Sequence, residues 1–180
     1  MARQQRVVIV GGGVIGLLTA FNLAADVEQV IVLERGGVGQ ESSWAGGGIV
    51  SPLYPWRYNC AVTALAHWSQ DFYPQLARRL FASTGIDPEV HTTGLYWLDL
   101  EDQAQALEWA QREGRPLSAV DMSAVDDAVS VLGGGFSRAI YMSDVANVRN
   151  PRLVKALRAA LAAMPNVELR EHCPVTRSEE

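Results

Sequence analysis

Short unbroken apolar runs alternate along this chain with stretches where apolar residues recur every three or four positions. Val7 to Val10 is a continuous β-branched run, the pattern of a strand buried on both faces. Val14, Leu17, Leu18, Phe21 and Ala25 follow at helical spacing, and Asp26 closes that helix. Val30 to Leu33 predicts a second buried strand, ended by Glu34. The two strands lie close enough in sequence to run parallel across one helix, a β-α-β unit.

The pattern then becomes mixed. Ser42 or Ser43 can cap a short helix ahead of the loop at Gly46 to Gly48. Leu65, Trp68, Phe72, Leu76 and Leu80 place an amphipathic helix over 60–83, with Pro74 expected to kink or divide it. Thr92 to Leu100 alternates like a strand, and Ala104 to Arg112 is helical up to Gly114. Ser123 and Asp126 have a capping-box-like spacing before another short helix. Phe136 to Met142 alternates again. Asn150-Pro151 opens a helix, with Asn as cap, whose apolar face is Leu153, Leu157, Ala160, Leu161 and Met164. Val167 to Val175 reads as a last strand. The expected fold class is α/β: residues 1–50 and 147–180 form a Rossmann-type sheet, interrupted by an α+β domain over 51–146.

Composition narrows the functional classes. The net charge is −5 and no basic stripe stands out, so nucleic acid is a poor partner. Cys60 and Cys173 form no CxxC, and His67, His91 and His172 have no metal-ligand spacing, so no metal is expected. Arg3 and Arg6 before an apolar stretch outline a signal peptide, but Gly11 to Gly13 break it after four apolar residues. No run reaches the ~20 apolar residues of a spanning helix. A cytoplasmic chain without a membrane span is the expectation.

The glycines carry the chemistry. Gly11, Gly13 and Gly16 form G-x-G-x-x-G between a predicted strand and a predicted helix, and Glu34 ends the next strand. Gly11 would turn the chain, Gly13 would let the backbone approach a pyrophosphate, and Gly16 would let the helix pack close. Free N–H groups at the helix start would hold the phosphates. Glu34 would accept from the ribose hydroxyls and repel a 2′-phosphate, which disfavours NADP. This unit alone leaves NAD and FAD both open. "LGGGF" at 132–136 also follows an apolar run, but no helix opens after it, so it reads as a turn.

The stretch "ERGGVGQESSWAGGGIVSP", with "GLYWL" at 94–98 and "HCPV" at 172–175, resembles the FAD-dependent amino-acid oxidase family. That family includes glycine oxidase, D-amino-acid oxidase, sarcosine oxidase and the D-amino-acid dehydrogenases. The likeness extends over essentially the whole chain, in particular to glycine oxidases of the thiamine-pathway type. It implies FAD as cofactor. Gly11, Gly13, Val14, Ile15 and Gly16 would lie against the ADP pyrophosphate. Glu34 and Arg35 would meet the adenosine ribose. Ser42 and Ser43 would contact the pyrophosphate and ribitol. Gly47, Gly48 and Ile49 would pass under the flavin ring, and Val175 would reach the adenine through its backbone. The family commonly has alanine where this chain has Trp44 and Gly46.

The resemblance also implies a reaction. A small amino acid or amine is oxidised at its C–N bond by hydride transfer to flavin, the imine is hydrolysed, and oxygen reoxidises the flavin to give hydrogen peroxide. Dehydrogenase relatives pass electrons to quinone, and a non-catalytic flavin-binding subunit is a further alternative. The arginine and tyrosine that hold the substrate come late in relatives, beyond residue 180, so no catalytic residue is assigned and the substrate domain is expected to be incomplete. Tyr54 and Arg57 read as surface-loop residues rather than substrate contacts. A homo-oligomer is possible for this family.

Overall fold

The computed structural model describes residues 3–123, 125 and 135–177. Asp126, and with it the helix predicted from Ser123, lies outside them, as do Leu132 to Gly134. Contacts divide the chain into two units. The first comprises the stretch up to Gly48, Pro74–Val90 and the stretch from Val148 on, and the second Ile49–Tyr73 and His91–Asn147. Pro74–Val90 therefore packs with the flanking segments, although the sequence places it inside the 51–146 domain.

In the first unit, β1 (Arg3–Val10), α1 (Val14–Leu23) and β2 (Val27–Leu33) form the β-α-β turn that the apolar runs dictate. The parallel sheet has the order β1-β2-β9, where β9 is Val167–Arg170. Register pairs Val7 with Val30 and Ile9 with Val32, and Val30 and Val32 in turn with Val167 and Leu169, so these side chains share one face. Val30 and Val32 are fully buried, alongside Leu17, Ala20 and Phe21 of α1 and Leu153, Leu157 and Leu161 of the helix Asn150–Ala162.

The opposite face corrects the sequence reading of β1. Val8 is 55% and Val10 67% exposed, so this strand is not buried on both faces. The β-branched run reports a strand suited to burial; the cover on its second side is a tertiary matter. The last strand is also shorter than predicted. It stops at Arg170, because His172 adopts φ +55° and Pro174 has no N–H to give a ladder. The chain nonetheless stays beside β2: the N–H groups of His172 and Cys173 donate to the carbonyls of Gly36 and Glu34.

The second unit is antiparallel. β5 (Leu95–Leu98), β7 (Ala139–Met142) and β6 (Leu117–Val120) make one sheet, with β7 central. β8 (Ala146–Asn147) pairs with both β3 (Ile49–Val50) and β4 (His91–Thr92). The predicted strand from Thr92 to Leu100 is thus two strands in different sheets, broken around Gly94. Trp56, Trp97 and Trp109 pack with Ile140 and Met142 in the core, where α4 (Gln103–Glu113) supplies Trp109.

Expectations for three helices change. α3 runs from Cys60 to Thr84 without ending at Pro74. The proline removes one helical hydrogen bond, but Leu76 and Leu80 just beyond it are fully buried and hold the helix in place. In its first half, Leu65 and Trp68 are 68% and 62% exposed, whereas Thr63 is buried. Polar groups face inward there because partners await them: Gln70 donates to the Val50 carbonyl at 3.0 Å and accepts from Arg115 at 2.8 Å. At the other end of the chain, α5 (Asn150–Ala162) has Arg149, not Asn150, in the cap position. In the short helix α2 (Ser42–Ala45) the cap position likewise falls to Glu41, without a side-chain capping bond, rather than to either serine. Among the described residues, no helix is long and apolar enough to cross a membrane.

Candidate functional site

The groove begins where β1 ends. Gly11 has φ +105°, a conformation open to glycine, and its N–H donates to the Leu33 carbonyl at 2.8 Å, tying the turn to β2. The next N–H, of Gly12, donates to Glu34 Oε2 at 2.7 Å, and Gly36 N–H donates to Oε1 at 2.9 Å. Glu34 is buried, and these two N–H groups, joined by the Arg35 charge, hold its carboxyl below the usual carboxylate range. The acid is thereby fixed in its ionised form, with lone pairs remaining for a hydroxyl donor.

At the head of α1, Val14 N–H donates to Ser43 Oγ at 2.8 Å. Gly13, Ile15 and Gly16 offer N–H groups that meet no protein acceptor among the described residues. These donors and the positive end of the helix dipole make an anion site. A Cβ on Gly16 would overlap the carbonyl oxygen of Gly11, so glycine there permits the helix to seat on the turn. At Gly13 a Cβ would come within 3.1 Å of Ser43 Oγ, so this glycine makes room first for the serine. A cavity of about 210 Å³ opens beside these groups, lined by Gly13, Glu34, Gly37, Gln40, Ser42 and Ser43.

The remaining sequence-predicted residues are less uniform. Ile15 is 75% exposed, at the first turn of α1. Arg35 turns its fork onto Glu41 at 2.8–3.0 Å. Val175 is exposed, two residues after the Cys173 N–H that binds the Glu34 carbonyl, so it follows the segment that borders the acid. Gly47 has open space where a side chain would stand. Gly48 adopts φ +72°, and a Cβ there would overlap the Val148 carbonyl. Ile49 begins β3 in the second unit and is exposed.

Tyr54 and Arg57 have local partners. The Arg57 guanidinium lies 4.1 Å from the Tyr54 ring and donates to Asp102 at 2.7 and 3.0 Å. Trp56 Nε1 donates to the same carboxylate at 2.7 Å, and these bonds bring the Asp102 pKa down to about 2. The pair braces the 3-10 turn Pro55–Arg57 against the start of α4.

Three residues that sequence reasoning passed over take part. A Cβ on Gly12 would press on the Glu34 stem at 3.0 Å, so the middle glycine of the triplet serves the acid. Gly36 supplies the second N–H to that acid, and Glu171 accepts from Val38 N–H at 2.7 Å, fixing the loop after β2. The run of three glycines and the pair Gly36-Gly37 carried a signal for the first two; nothing in the sequence marked Glu171.

The geometry suits a diphosphate at the α1 terminus and a hydroxyl-bearing sugar at Glu34. The model of the family described as DAO, FAD dependent oxidoreductase, matches residues 6–180. Glycine oxidase from Pseudomonas putida is 78% identical over 172 residues, which cover 96% of this chain and 47% of that protein. Glycine oxidase from Pseudomonas aeruginosa is 63% identical over 171 residues, 95% of this chain and 47% of its own length. The crystal structure of glycine oxidase from Bacillus cereus superposes with a TM-score of 0.85 at 28% identity, over 98% of this chain and 49% of that one. The chain spans about half the length of the curated relatives it matches. With a Rossmann-type β-α-β unit, its glycine turn and a match across nearly every residue, the chain belongs to the DAO family of FAD-dependent oxidoreductases.

Proposed function

We propose that this chain is the flavin-holding part of an oxidase acting on glycine, sarcosine or a small D-amino acid. The observation that carries the reading is the 78% identity to a glycine oxidase over 96% of the chain. The residues fit FAD on their own geometry: free N–H groups at α1, a fixed carboxylate at Glu34 and room beside Ser42 and Ser43.

In this reading, residues 1–50 and 147–180 form the FAD-binding domain and 51–146 part of the substrate domain. Gly11, Gly13, Val14, Ile15 and Gly16 receive the pyrophosphate, with Ser42 and Ser43 beside it. Glu34 accepts from the adenosine ribose, and Arg35, anchored on Glu41, lines its edge. Gly47, Gly48 and Ile49 pass under the flavin ring, where Gly47 leaves open space. Val175 meets the adenine through its main chain. When bound, FAD supplies a hydride acceptor for the substrate α-carbon and, by its reoxidation with oxygen, yields hydrogen peroxide. The chain's own part is orientation: it fixes the cofactor by backbone donors that need no rearrangement on binding. Arg57 stays on Asp102 and supports the loop, so substrate carboxylate recognition falls to residues in the half of the relatives' length that this chain does not span.

The test is a peroxide assay on the full-length protein with FAD across glycine, sarcosine and D-proline. Oxygen-dependent peroxide release, with one mole of peroxide per mole of imine-derived product, is expected. Dye reduction without peroxide under air would replace the oxidase by a dehydrogenase, and silence with all three amines would overturn both.

A further inference from the structure

A second cavity lies on the first unit, on α5, and the flavin reading does not use it. Its volume is about 560 Å³, within the range of small-molecule sites. Its lining includes the apolar Trp44, Pro151 and Val154, and Trp44 is 52% exposed. The same lining carries Arg149, Arg152, Lys155 and Arg158. Arg149 at the cap of α5, with Arg152, Lys155 and Arg158 along it, brings four of the chain's 15 basic residues to the lining of one cavity, in a protein of net charge −5. The sequence reading found no basic stripe; the fold gathers these four side chains around one cavity.

Like charges so placed repel one another unless something offsets them. Part of the offset is internal. Glu89 accepts from Arg149 at 3.2 Å and from Arg152 at 3.0 Å, and Glu171 lies 3.2 Å from Arg158. Both carboxylates are thus engaged, and Arg152 also donates to the Asp87 carbonyl. Among the described residues Lys155 has no carboxylate partner, and it is exposed. Four cations against two paired carboxylates leave positive charge beside an open indole.

The geometry points to a binding site for a planar organic anion, its ring against Trp44 and its charged group on Lys155 and the adjoining arginines. An aromatic face alone would accept any apolar molecule, and cations alone any anion; their juxtaposition selects a ligand with both features. The site has Gln40 in common with the groove cavity at Glu34 and is otherwise built from different side chains.

Calorimetric titration of 1-naphthyl phosphate into the FAD-saturated full-length protein tests this. One saturable site is expected, with 1-naphthol and inorganic phosphate each at least about tenfold weaker, since each retains one of the two contacts. Lys155→Gln and Trp44→Leu should each weaken binding about fivefold while the flavin absorbance stays unchanged. Lys155 is exposed, so its variant stays informative if the tryptophan variant folds poorly. Absence of saturable binding, equal affinity for phosphate alone, or insensitivity to Lys155→Gln would each overturn the site.

Discussion

The two units of this chain solve opposite problems. The first leaves main chain bare: among the described residues the N–H groups of Gly13, Ile15 and Gly16 meet no protein acceptor, while those of Gly12 and Gly36 fix one carboxylate. The second fills space with side chains. Trp56 and Trp97 meet edge to face at 5.3 Å, and each indole N–H has an acceptor, Asp102 or the Leu53 carbonyl. A surface meant for a ligand must keep donors unpaired, whereas a core must pair every one. At the head of α1 Ile15 is accordingly 75% exposed, while Ile140 and Met142 in the second unit's core are fully buried.

That contrast can be broken by substitution. The largest effect is expected at Trp97, which is 5% exposed: Trp97→Ala should cost about 3–5 kcal/mol, read by denaturant unfolding. A cost below ~1 kcal/mol would deny the aromatic cluster its role as core. Gly16→Val comes next, at about 2–4 kcal/mol, because its side chain meets a backbone carbonyl that cannot rotate away. It should abolish FAD retention on gel filtration, whereas unaltered retention would show that α1 tolerates displacement.

A pH experiment sharpens the comparison from the second unit's side. The Asp102 pKa is lowered from 3.8 to about 2 by Arg57 and Trp56. A depressed carboxylate contributes stability that is complete above its unfolded value and lost as pH falls through the folded one. The wild type should therefore lose stability between about pH 4 and pH 2 more steeply than Asp102→Asn, measured by thermal midpoints at each pH. Identical slopes would mean that the Arg57 pair is idle. Smallest is Ser43→Ala, which removes the acceptor of Val14 N–H and should cost about 1 kcal/mol of thermal stability.

The first unit was far more legible in the sequence than the second. G-x-G-x-x-G and Glu34 are local, because a turn and the ends of two strands fall within one β-α-β unit, and periodicity places them. The inward turn of Thr63 and Gln70 was not legible. Gln70 depends on an acceptor from Val50 and a donor from Arg115, distant in sequence, Thr63 donates to the Asn59 carbonyl, and an apolar-periodicity reading chose Leu65 and Trp68 instead. At Pro74 the sequence allowed a kink or a division; the helix is not divided, and Leu76 and Leu80 are buried just beyond the proline. At the site, Glu171 escaped notice because its bond to Val38 joins residues 133 positions apart.

The account stands most directly on Glu34, and a fluorescence-quench titration of FAD into the full-length protein, wild type beside Glu34→Gln, examines it. The amide would keep the side chain's shape but place an NH₂ against a backbone N–H, at a cost of about 1–3 kcal/mol. Saturable single-site binding by the wild type, weakened about tenfold or more in the variant, is the predicted result. Equal affinity in the two proteins would contradict the account, because the carboxylate would then have no part in holding the cofactor.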